Sequence, residues 1–487
     1  MGRVVTVREM RRAEENARAI GMNEDIMIES AASGMMHVLE KHIKKNDLTA
    51  VFVGGGNNGA DGLSLSRMLH LNGYRTEAVT VGEKRGEYNA ARLKAYRALG
   101  GKVVDLDTAA ARIDCYKTIV DAVFGIGLTR APDGDSLRAI RLMNGADAYR
   151  VATDIPSGLF ADDGKVVGEA FKAALTVTFG AYKYGHFLGD GADYCGEIAL
   201  VDVGIPTLEG AWLADANTPR LAGRKRVGHK GDYGRVAVIG GSAEMTGAPL
   251  LAAESALSSG AGLVKLCAAE SLKDAYTSRV REATLSFAPD RDGFIRYDEA
   301  WLSEIMAFAD SIVIGMGMGA NPELKDIIAC LAANFDGTLV VDADGLNALV
   351  GRLGSLKGHK CRLVLTPHRG EFFRLFGKCD EKDLAERSKS AALETNAVIV
   401  NKSNTTVITD GKETYINASG SPSMAKGGSG DTLAGAVAAF AVRMGALNGA
   451  AHACYECGRA GERAAASLGE DAPTASDTIG FLSRTRK

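Results

Sequence analysis

The sequence predicts a two-domain α/β protein, with a parallel, doubly wound sheet in the first domain and a second α/β series after it. Short apolar runs alternate with helical patterns along both parts of the chain, and this alternation is typical of parallel sheets. A polar, turn-rich segment after Pro206 interrupts the alternation once. With 487 residues the chain is long enough for two such domains. We therefore predict a first domain over residues 1–214 and a second over residues 215–487.

Helices are predicted at residues 7–20 and 26–45, and again from Asp61 to Asn72. The strands are short apolar runs such as TAVFVG, which suit a sheet that is buried on both faces. In the first domain they are predicted at 49–54, 76–81, 117–121, 149–154, 174–179 and 197–202. In the second domain they are predicted at 235–241, 262–269, 311–319, 337–344, 362–367, 396–402 and 405–410.

The composition argues against several classes of protein. A net charge of −3 gives no basic footprint for nucleic acid or a membrane surface. No apolar run reaches the ~18 residues that a membrane span needs. Eight scattered cysteines favour a reducing compartment, so we predict a cytoplasmic protein. Cys454 and Cys457 form a lone CxxC in an Ala-rich helical stretch, which predicts core packing rather than metal binding.

The first candidate site is the loop GGGNNGADG at residues 54–62, between a predicted strand and a predicted helix. It matches the dinucleotide fingerprint G-x-G-x-x-G, which by itself is a weak signal. Asp121 ends another strand, and the strand end TDIPSG contains Asp154, the candidate acid or base, and Ser157. Because the ends of parallel strands share one sheet edge, Asn58, Asp121 and Ser157 could supply oxygens to a hard cation. Alternatively, each is a turn residue that satisfies local backbone groups.

The second candidate site is the segment AKGGSGDTLAG at residues 425–435. A glycine-rich turn opens there onto a run of small residues that predicts a buried helix. Backbone N–H groups at such a helix start favour anions, so the turn predicts a phosphate cradle. Asp431 lies where the turn becomes the helix. It is either a general base that takes a proton from a hydroxyl during phosphoryl transfer or the N-cap of the helix.

Four other segments of the second domain point to the same site: GSAEMTGAP (241–249), GMGMG (315–319), TPHRGEF (366–372) and NKSNTT (401–406). Lys402 and the donors beside it suit a nucleotide phosphate or ribose. His368 is as consistent with a structural histidine as with a site residue. Asp342, Asp344 and Asn347 are either cation-facing or capping groups. The sequence contains neither a Walker A motif nor the protein-kinase motifs.

The order of these motifs resembles the bifunctional NAD(P)H-hydrate repair enzymes. The resemblance is carried by GGGNNGADG, DAVFGIGL and DIPSG in the first half and by HKGDYGRVAVIGGS, TPHRGEF and GGSGDTLAG in the second, so it spans essentially the whole chain. It implies a Rossmann-like three-layer α/β/α epimerase domain and a ribokinase-like, ADP-dependent dehydratase domain. The chain departs from the family pattern at Ala60, at GMGMG, at Arg369, at Lys426 and in NKSNTT, which lacks a common glycine.

The resemblance also implies site residues. In the first domain the substrate would be contacted by Asn57, Asn58, Gly59, Ala60, Asp61, Gly125, Ile126, Gly127, Leu128, Thr129, Arg130, Ala131 and Asp154. A potassium ion would be bound by Asn58, Asp121 and Ser157. In the second domain the hydrate would be held by Ala248, Gly317, His368 and Asp431. ADP or ATP with Mg²⁺ would be held by Lys402, Ser403, Asn404, Thr405, Thr406 and Gly430. The catalytic residues would be Asp154 and Asp431.

Together these features predict an enzyme of metabolite repair. It would epimerise the R and S forms of NAD(P)H hydrate and dehydrate the S form, with Asp431 deprotonating the hydroxyl that becomes phosphorylated. We expect a homo-oligomer and no nucleic-acid or membrane partner. The alternative is a ribokinase-type small-molecule kinase, for example for a vitamin precursor, with an accessory Rossmann-like binding domain. In a third interpretation the first domain is a non-catalytic binding module.

Overall fold

The structure is a computed structural model that describes residues 2–206, 209–217 and 219–482. The chain divides into two compact units, Gly2–Ala211 and Trp212–Lys487. Three residues of the polar segment after Pro206, which are Thr207, Leu208 and Thr218, lie outside the described residues. Within the described part of the chain, no helix is both long enough and apolar enough to cross a membrane.

The first unit is an α/β structure. Its strands are β1 (Arg3–Val5), β2 (Thr49–Val53), β3 (Thr76–Thr80), β4 (Lys102–Val104), β5 (Thr118–Ala122), β6 (Tyr149–Thr153), β7 (Leu175–Phe179), β8 (Tyr182–Lys183) and β9 (Glu197–Val201). Its helices are α1 (Val7–Ala19), α2 (Glu24–Leu39), α3 (Asn57–Leu71), α4 (Glu87–Ala98), α5 (Leu106–Ala110), α6 (Gly134–Gly145) and α7 (Gly191–Tyr194). One parallel sheet has the order β4-β3-β2-β5-β6-β7-β9.

The central strand β2 shows why this sheet lies between two layers of helices. Every residue of β2 is buried. Val51 and Val53 pack in one hydrophobic cluster with α2 and α3, whereas Ala50 and Phe52 pack in another on the opposite face. Since neighbouring residues of a strand point to opposite faces, both faces of the sheet are covered. The parallel, doubly wound arrangement predicted for the first domain is confirmed.

Some boundaries in the first unit differ from the prediction. The helix predicted from Asp61 begins at Asn57, so the second half of the glycine-rich loop is the first turn of α3. The helix predicted at 26–45 ends at Leu39, because the following stretch is charged and Ile43 is its main buried apolar residue. The short strands β1, β4 and β8 were not predicted, since two or three residues carry no detectable periodicity.

The second unit contains the second α/β series. Its strands are β10 (Ala211–Leu213), β11 (Arg235–Ile239), β12 (Leu263–Ala269), β13 (Thr284–Ala288), β14 (Asp290–Arg291), β15 (Phe294–Ile295), β16 (Ser311–Ile314), β17 (Thr338–Val341), β18 (Arg362–Leu365), β19 (Val398–Asn401), β20 (Thr406–Thr409) and β21 (Thr414–Asn417). Its helices are α8 (Gly247–Ser258), α9 (Lys273–Thr277), α10 (Glu299–Phe308), α11 (Leu324–Asn334), α12 (Asp344–Ala348), α13 (Arg369–Phe376), α14 (Leu384–Thr395), α15 (Ser429–Met444), α16 (Ala446–Leu468) and α17 (Ala475–Leu482).

The sheet of the second unit has the order β13-β12-β11-β16-β17-β18-β19-β20-β21-β10. It is parallel from β13 to β19, whereas β20 is antiparallel to both β19 and β21. Helix α15 packs on α8 at backbone distance, because a Cβ on Gly435 would lie 2.1 Å from the carbonyl oxygen of Ala252. Cys454 and Cys457 of α16 form no disulfide and are buried in the same core, which confirms their predicted packing role.

Both sheets contain a point where the chain reverses its direction of growth. In the first unit the strands proceed outward from β2 to β4, and the chain then returns to place β5 beside β2. In the second unit the chain proceeds from β11 to β13 and returns with β16 beside β11. Open α/β sheets bind ligands outside the carboxyl ends of the strands at such switch points. The fold therefore predicts one crevice in each unit.

Candidate active sites

A cavity of about 490 Å³ lies at the carboxyl ends of β2 and β5 in the first unit. The loops after these strands line it, together with residues of α1 and α2 and the residues Asp154 and Lys183. The predicted substrate contacts among its lining residues are Asn57, Asn58, Asp61, Gly125, Ile126, Gly127, Leu128 and Asp154. The structure thus brings most of the first predicted site together at the switch point.

Other predicted substrate contacts are placed differently. Gly59 lies in the first turn of α3, where a Cβ would come within 2.0 Å of the carbonyl oxygen of Gly54. This glycine lets the helix start lie against its own loop, and the neighbouring Ala60 is fully buried. Thr129, Arg130 and Ala131 are not among the lining residues. Thr129 and Arg130 are exposed.

The three predicted potassium ligands meet around the backbone of Phe124. Ser157 Oγ donates to Asp121 Oδ1 over 2.7 Å, and the Ser157 N–H donates to Asp121 Oδ2 over 2.8 Å. Asn58 Nδ2 donates to the Phe124 carbonyl over 2.9 Å. The Phe124 N–H in turn donates to Ser157 Oγ over 2.8 Å. Asn58, Asp121 and Ser157 are therefore neighbours in space.

This group fits a hard cation because it contains an orphaned oxygen. Asn58 Oδ1 is buried and has no hydrogen-bond partner. Burial raises the pKa of Asp121 to about 6, although hydrogen bonds from Ser157 and Val123 oppose the shift. A cation beside it would favour the ionised carboxylate. An amide oxygen, a carboxylate and a hydroxyl are the donors that hard cations prefer. Within the described residues, no cluster of three His, Cys, Asp or Glu side chains is placed to hold a metal ion.

Asp154 lies on a turn with an unusual backbone and contacts a buried lysine. Its φ is 65°, in the left-handed region that Asp and Asn tolerate better than most residues. Lys183 Nζ forms an ion pair with Asp154 Oδ1 through a short hydrogen bond. The same ammonium donates to Thr178 Oγ1 over 2.9 Å and to the Phe179 carbonyl over 3.1 Å. Because the Lys183 side chain is 1% exposed, the ion pair holds the carboxylate in one orientation.

A neutral histidine supports both members of this ion pair. His186 Nε2 lies 2.9 Å from the Asp154 carbonyl, and the Lys183 N–H donates to His186 Nδ1 over 3.1 Å. Burial, followed by the charge of Lys183, lowers the pKa of His186 to about 4, so the ring is neutral at pH 7. Since Nδ1 accepts a hydrogen bond, Nε2 carries the proton and donates to the carbonyl.

Three residues of this region escaped the sequence analysis: Glu14, Lys183 and His186. Glu14 of α1 lines the cavity, where burial and then the charge of Asp154 raise the pKa of its carboxyl group. The same causes raise the pKa of Asp61 well above its usual value. Lys183 and His186 stand in the sequence AYKYGHF just after β7, so polar residues at a strand end gave a usable signal. Glu14 gave no such signal, because it is one of many charged residues on α1.

In the second unit, α15 begins at the glycine-rich turn. Gly428 is its N-cap, with a φ of 93° and no capping side chain. No side chain therefore caps the first N–H groups of α15, as a phosphate cradle requires, and the Ser429 N–H makes only a long contact of 3.4 Å with the Lys426 carbonyl. Asp431 lies in the first turn of the helix, so the alternative that it is the N-cap is wrong. Burial and then Asp342 raise the pKa of Asp431 to about 6, against the opposing effect of Lys402.

Lys402 connects this helix start to two strand ends. Its Nζ lies 2.6 Å from Asp342 Oδ1, which also accepts a hydrogen bond from Thr366 Oγ1 over 2.8 Å. A Cβ on Gly430 would lie 3.4 Å from Lys402 Nζ and 3.7 Å from Asp342 Oδ2. The ion pair therefore borders the glycine turn, and Lys402, Gly430 and Asp431 come together as predicted.

His368 is the N-cap of α13. Its Nδ1 accepts from the N–H groups of Gly370 over 2.9 Å and Glu371 over 3.3 Å, while the His368 N–H donates to Glu371 Oε2 over 2.8 Å. The ring proton is therefore on Nε2. The neighbouring strand end is close, because the Lys402 N–H donates to the carbonyl of Pro367 over 2.8 Å. His368 therefore has a structural role, as the N-cap of α13, which was one of the two roles considered from the sequence. It also borders the site.

The two remaining hydrate contacts meet at the switch point of the second sheet. Gly317 has a φ of 64°, and a Cβ there would lie 3.0 Å from the Cβ of Ala248. Asp344 Oδ2 accepts from the Gly319 N–H over 2.7 Å, and Asn347 Oδ1 accepts from a nearby arginine. The sequence left Asp344 and Asn347 as either cation-facing or capping groups. The structure shows that both side chains accept hydrogen bonds from nearby protein groups.

The predicted nucleotide contacts at 403–406 lie in the turn between β19 and β20 and at the first residue of β20. Ser403 Oγ donates to the Thr405 carbonyl over 2.5 Å, and Thr406 Oγ1 to the Ser403 carbonyl over 3.4 Å. These two hydroxyls close the turn, whereas Asn404 is exposed. Lys426, which replaces a common threonine, donates to two carbonyls in the segment before α17. Its ammonium is therefore directed at the protein backbone.

Comparison with known proteins identifies relatives of the whole chain. A family model described as NAD(P)H-hydrate dehydratase matches residues 236–480, and one described as YjeF-related protein N-terminus matches residues 24–185. The bifunctional NAD(P)H-hydrate repair enzyme Nnr of Moorella thermoacetica is 35% identical and covers 98% of this chain and 96% of its own. Its counterpart in Thermofilum pendens is 33% identical, with coverages of 96% and 93%.

Solved structures resemble the second half. The ADP/ATP-dependent NAD(P)H-hydrate dehydratase of Bacillus subtilis, co-crystallised with ATP and Mg²⁺, is 27% identical. It covers 56% of this chain and 97% of its own, with a TM-score of 0.49.

The fold and the two crevices define an α/β enzyme with one candidate site in each of two units. The chain belongs to the family of bifunctional NAD(P)H-hydrate repair enzymes. It combines an NAD(P)H-hydrate epimerase with an NAD(P)H-hydrate dehydratase. This membership confirms the predicted fold class and the predicted enzyme of metabolite repair.

Proposed function

We propose that the domain over residues 1–214 epimerises the R and S forms of NAD(P)H hydrate, and that the domain over 215–487 dehydrates the S form with ADP or ATP. One observation carries the second assignment. Asp431 is a carboxyl group with a pKa raised to about 6, at an uncapped helix start beside Lys402. This arrangement suits a general base next to a phosphoryl group.

The dehydration proceeds in two steps. Asp431 takes the proton of the hydroxyl group while the hydroxyl oxygen attacks the terminal phosphoryl group of the nucleotide. The new O–P bond forms as the bond to the nucleotide breaks, which releases AMP from ADP or ADP from ATP. The lone pair of the ring nitrogen then expels phosphate, and loss of a ring proton restores the reduced nicotinamide.

Several residues support phosphoryl transfer in this proposal. The N–H groups of residues 427–430 and the ammonium of Lys402 stabilise negative charge on the transferred group. Ala248, Gly317 and His368 hold the hydrate, and the turn at 403–406 holds the nucleotide. Mg²⁺, when bound with the nucleotide, neutralises phosphate charge.

The variant Asp431→Asn tests this assignment. A general base contributes ~10²–10⁴-fold, so we expect dehydratase turnover to fall at least ~10²-fold while nucleotide affinity is retained. Turnover is followed by the recovery of reduced-nicotinamide absorbance from the S form. The matched control is Asp292→Asn, which removes one carboxylate from an exposed turn of the same unit. Turnover within twofold of the wild-type value in Asp431→Asn would reject the role.

In the first unit, Asp154 acts as the acid and base of epimerisation. One bond of the hydroxyl-bearing ring carbon breaks and re-forms on the opposite face, and the proton that Asp154 takes is returned at the end. Lys183 holds the carboxylate towards the cavity, and the substrate is contacted by Asn57, Asn58, Asp61 and residues 125–128, which line it. Potassium would be held by Asn58, Asp121 and Ser157, where it would supply positive charge beside the turn at residues 124–128.

The variant Asp154→Asn tests the epimerase assignment, because asparagine also tolerates the left-handed backbone. Epimerisation, measured as interconversion of the separated R and S forms, should fall at least ~10²-fold. The Asp154→Ala variant should lose as much epimerase activity. If either folded variant still epimerises at the wild-type rate, Asp154 has no part in the reaction.

A single incubation separates repair from the kinase alternative. The whole chain is supplied with both hydrate forms and either ADP or ATP. Repair releases phosphate and restores the reduced coenzyme from both forms, and the faster nucleotide identifies the donor. A stable phosphorylated product would instead favour a kinase.

The proposal includes a cytoplasmic location and a homo-oligomeric state. Cell fractionation tests the first. Light scattering of the purified chain tests the second, where a mass of 51.0 kDa would indicate a monomer.

A further inference from the structure

The second unit contains another cavity, of about 710 Å³, that has no role in the proposed reaction. The residues assigned to the hydrate and the nucleotide do not line it. Its walls are the end of α15, one face of α16, and Ala216 with residues 220–224. Five arginines line it, and we call it the arginine pocket: Arg220, Arg224, Arg443, Arg459 and Arg463.

The arginine pocket is a built feature of the fold. Its α16 residues include His452, Arg459 and Arg463, whose spacing places them on one face of the helix. The opposite wall is held against this face, because His452 Nδ1 lies 3.0 Å from the carbonyl of Pro219. Leu221 of the same wall packs on the hydrophobic core of the unit.

Positive side chains outnumber negative ones in the lining of this pocket. Its lining contains five arginines but one acidic residue, Glu456. That carboxylate lies 3.8 Å from His452 Nε2, within a buried pair. Arg459 forms an ion pair with Glu462. Arg224 instead donates to the backbone carbonyl of Gly260 over 2.6 Å, and backbone carbonyls do not neutralise its charge.

Two of the guanidinium groups lie against the same aromatic ring. Those of Arg224 and Arg443 are 4.2 Å and 5.6 Å from the ring centroid of Tyr233. Burial and then the charge of Arg224 lower the pKa of Arg443. The tyrosine offsets part of the repulsion through cation–π contacts. A bound anion would offset more, because it would attract both charges at once.

We propose that the arginine pocket binds a small molecule that carries two linked phosphate groups. Guanidinium groups recognise phosphate through paired hydrogen bonds, and several of them around one concavity match an anion with more than one charge. The volume lies within the ~300–1,000 Å³ of typical small-molecule sites. The concave shape favours a small ligand over an acidic protein segment.

Calorimetric titration of the whole chain tests the proposal, with inorganic pyrophosphate as the first probe and ADP as the second. The background variant is Lys402→Met, which weakens phosphate binding at the proposed nucleotide site. Pyrophosphate should still bind to this protein. Adding Arg224→Gln and Arg443→Gln should weaken that binding at least about tenfold, since each lost hydrogen bond to a charged group is worth about that factor.

Two further variants complete the test, one as a substitute for the double substitution and one as a negative control. Arg220→Gln replaces the other two substitutions if they impair folding, because Arg220 is exposed. This variant should also weaken pyrophosphate binding. Arg291→Gln removes an exposed arginine outside the pocket and should leave the affinity unchanged. If ADP binds more tightly than pyrophosphate, the ligand has an organic body; equal affinities mean that the phosphates alone are recognised.

Three results would overturn the proposal. The first is an absence of pyrophosphate and ADP binding in the Lys402→Met background. The second is binding that the arginine substitutions leave unchanged. The third is tighter binding of polyglutamate than of either probe, which would make the pocket a surface for an acidic protein segment.

Discussion

At the scale of single residues, two aspartates have a lysine nearby but in different arrangements. The ammonium of Lys183 contacts the carboxylate of Asp154 directly. In the second unit the ammonium of Lys402 contacts Asp342, and Asp431 is left close to both charges. Burial and then the charge of Asp342 raise the pKa of Asp431 to about 6, although Lys402 opposes the shift, and this is a suitable value for a base that works near pH 7.

The pKa of Asp431 predicts a pH dependence for dehydration. The ionised carboxylate is the base, and it is populated above its pKa, so kcat/KM for the S form should rise with pH through about 6 and then level off. The measurement is the initial rate at low hydrate concentration over pH 5 to 8. In the Asp431→Asn variant, this rise of kcat/KM with pH should be absent. A wild-type profile that falls across the same range would contradict the assignment.

The buried ion pair in the first unit predicts a large effect on stability. Lys183→Met leaves the carboxylate of Asp154 without its cation, and breaking one side of a buried pair costs ~3–5 kcal/mol. Urea denaturation should show this loss of unfolding free energy. Adding Asp154→Asn should recover part of it, because the uncompensated charge is removed.

The control for this comparison is Arg12→Met, which breaks an exposed pair with Glu209 and should leave the denaturation midpoint unchanged. If the double variant is no more stable than Lys183→Met alone, the loss comes from packing rather than from the charge of Asp154.

At the scale of elements, the sequence predicted the central strands well and the helix starts less well. Strand β2 was found because all its residues are buried and apolar or small. The start of α3 was missed because Asn57, Asn58 and Gly59 are poor helix formers. Their helical conformation depends on the close approach of Gly59 to the loop, a contact between backbone atoms that composition does not reveal.

The residues of the candidate sites likewise divide into those that the sequence revealed and those that it did not. Aspartates and glycines at strand ends were predictable, since short polar motifs follow apolar strands there. Lys183 acts through an ion pair with a residue 29 positions away, and Glu14 reaches the cavity from a helix that precedes the sheet. Such contacts depend on how the elements pack, so the order of motifs could not reveal them.

The start of α15 gives a prediction with a matched control in the same turn. Gly428 has a φ of 93°, and a Cβ there would lie 2.7 Å from Leu251 and 2.9 Å from Ala475. Gly427 has open space around it. Gly428→Ala should therefore destabilise the protein by ~1–2 kcal/mol and weaken nucleotide binding, because a left-handed residue with a Cβ is strained. Gly427→Ala should change neither.

Thermal unfolding and nucleotide titration measure both effects. Equal midpoints and equal affinities for the two alanine variants would show that the left-handed turn is not what shapes the cradle.

At the scale of the whole molecule, two units place their candidate sites at the same kind of position, the switch point of a doubly wound sheet. The first site has an oxygen-rich group around Phe124, and the second has an uncapped helix start. Different loops on similar frameworks thus support different chemistry. Since the residues of each candidate site come from one unit, the two activities should be separable.

An equal mixture of two inactivated variants tests this separation. Asp154→Asn should dehydrate the S form but not clear the R form, whereas Asp431→Asn should interconvert the forms without restoring coenzyme. Mixed together, they should clear both forms, because a released S form can reach the other protein. Absorbance recovery from the R form measures the result. A mixture that fails although each variant keeps its remaining activity would show that the two reactions require a single chain.

The contacts of Lys426 with the segment before α17 have a consequence for biosynthesis. Chains emerge from the ribosome N-terminus first, so the first unit can fold while the second is still being translated. The glycine turn before α15 lies under Ala475 and is tied by Lys426 to the backbone of Asp471 and Pro473. It therefore acquires its final neighbours only when residues 471–475 have been synthesised. A premature stop codon upstream of Asp471 would leave the epimerase sequence whole and remove the support of the cradle.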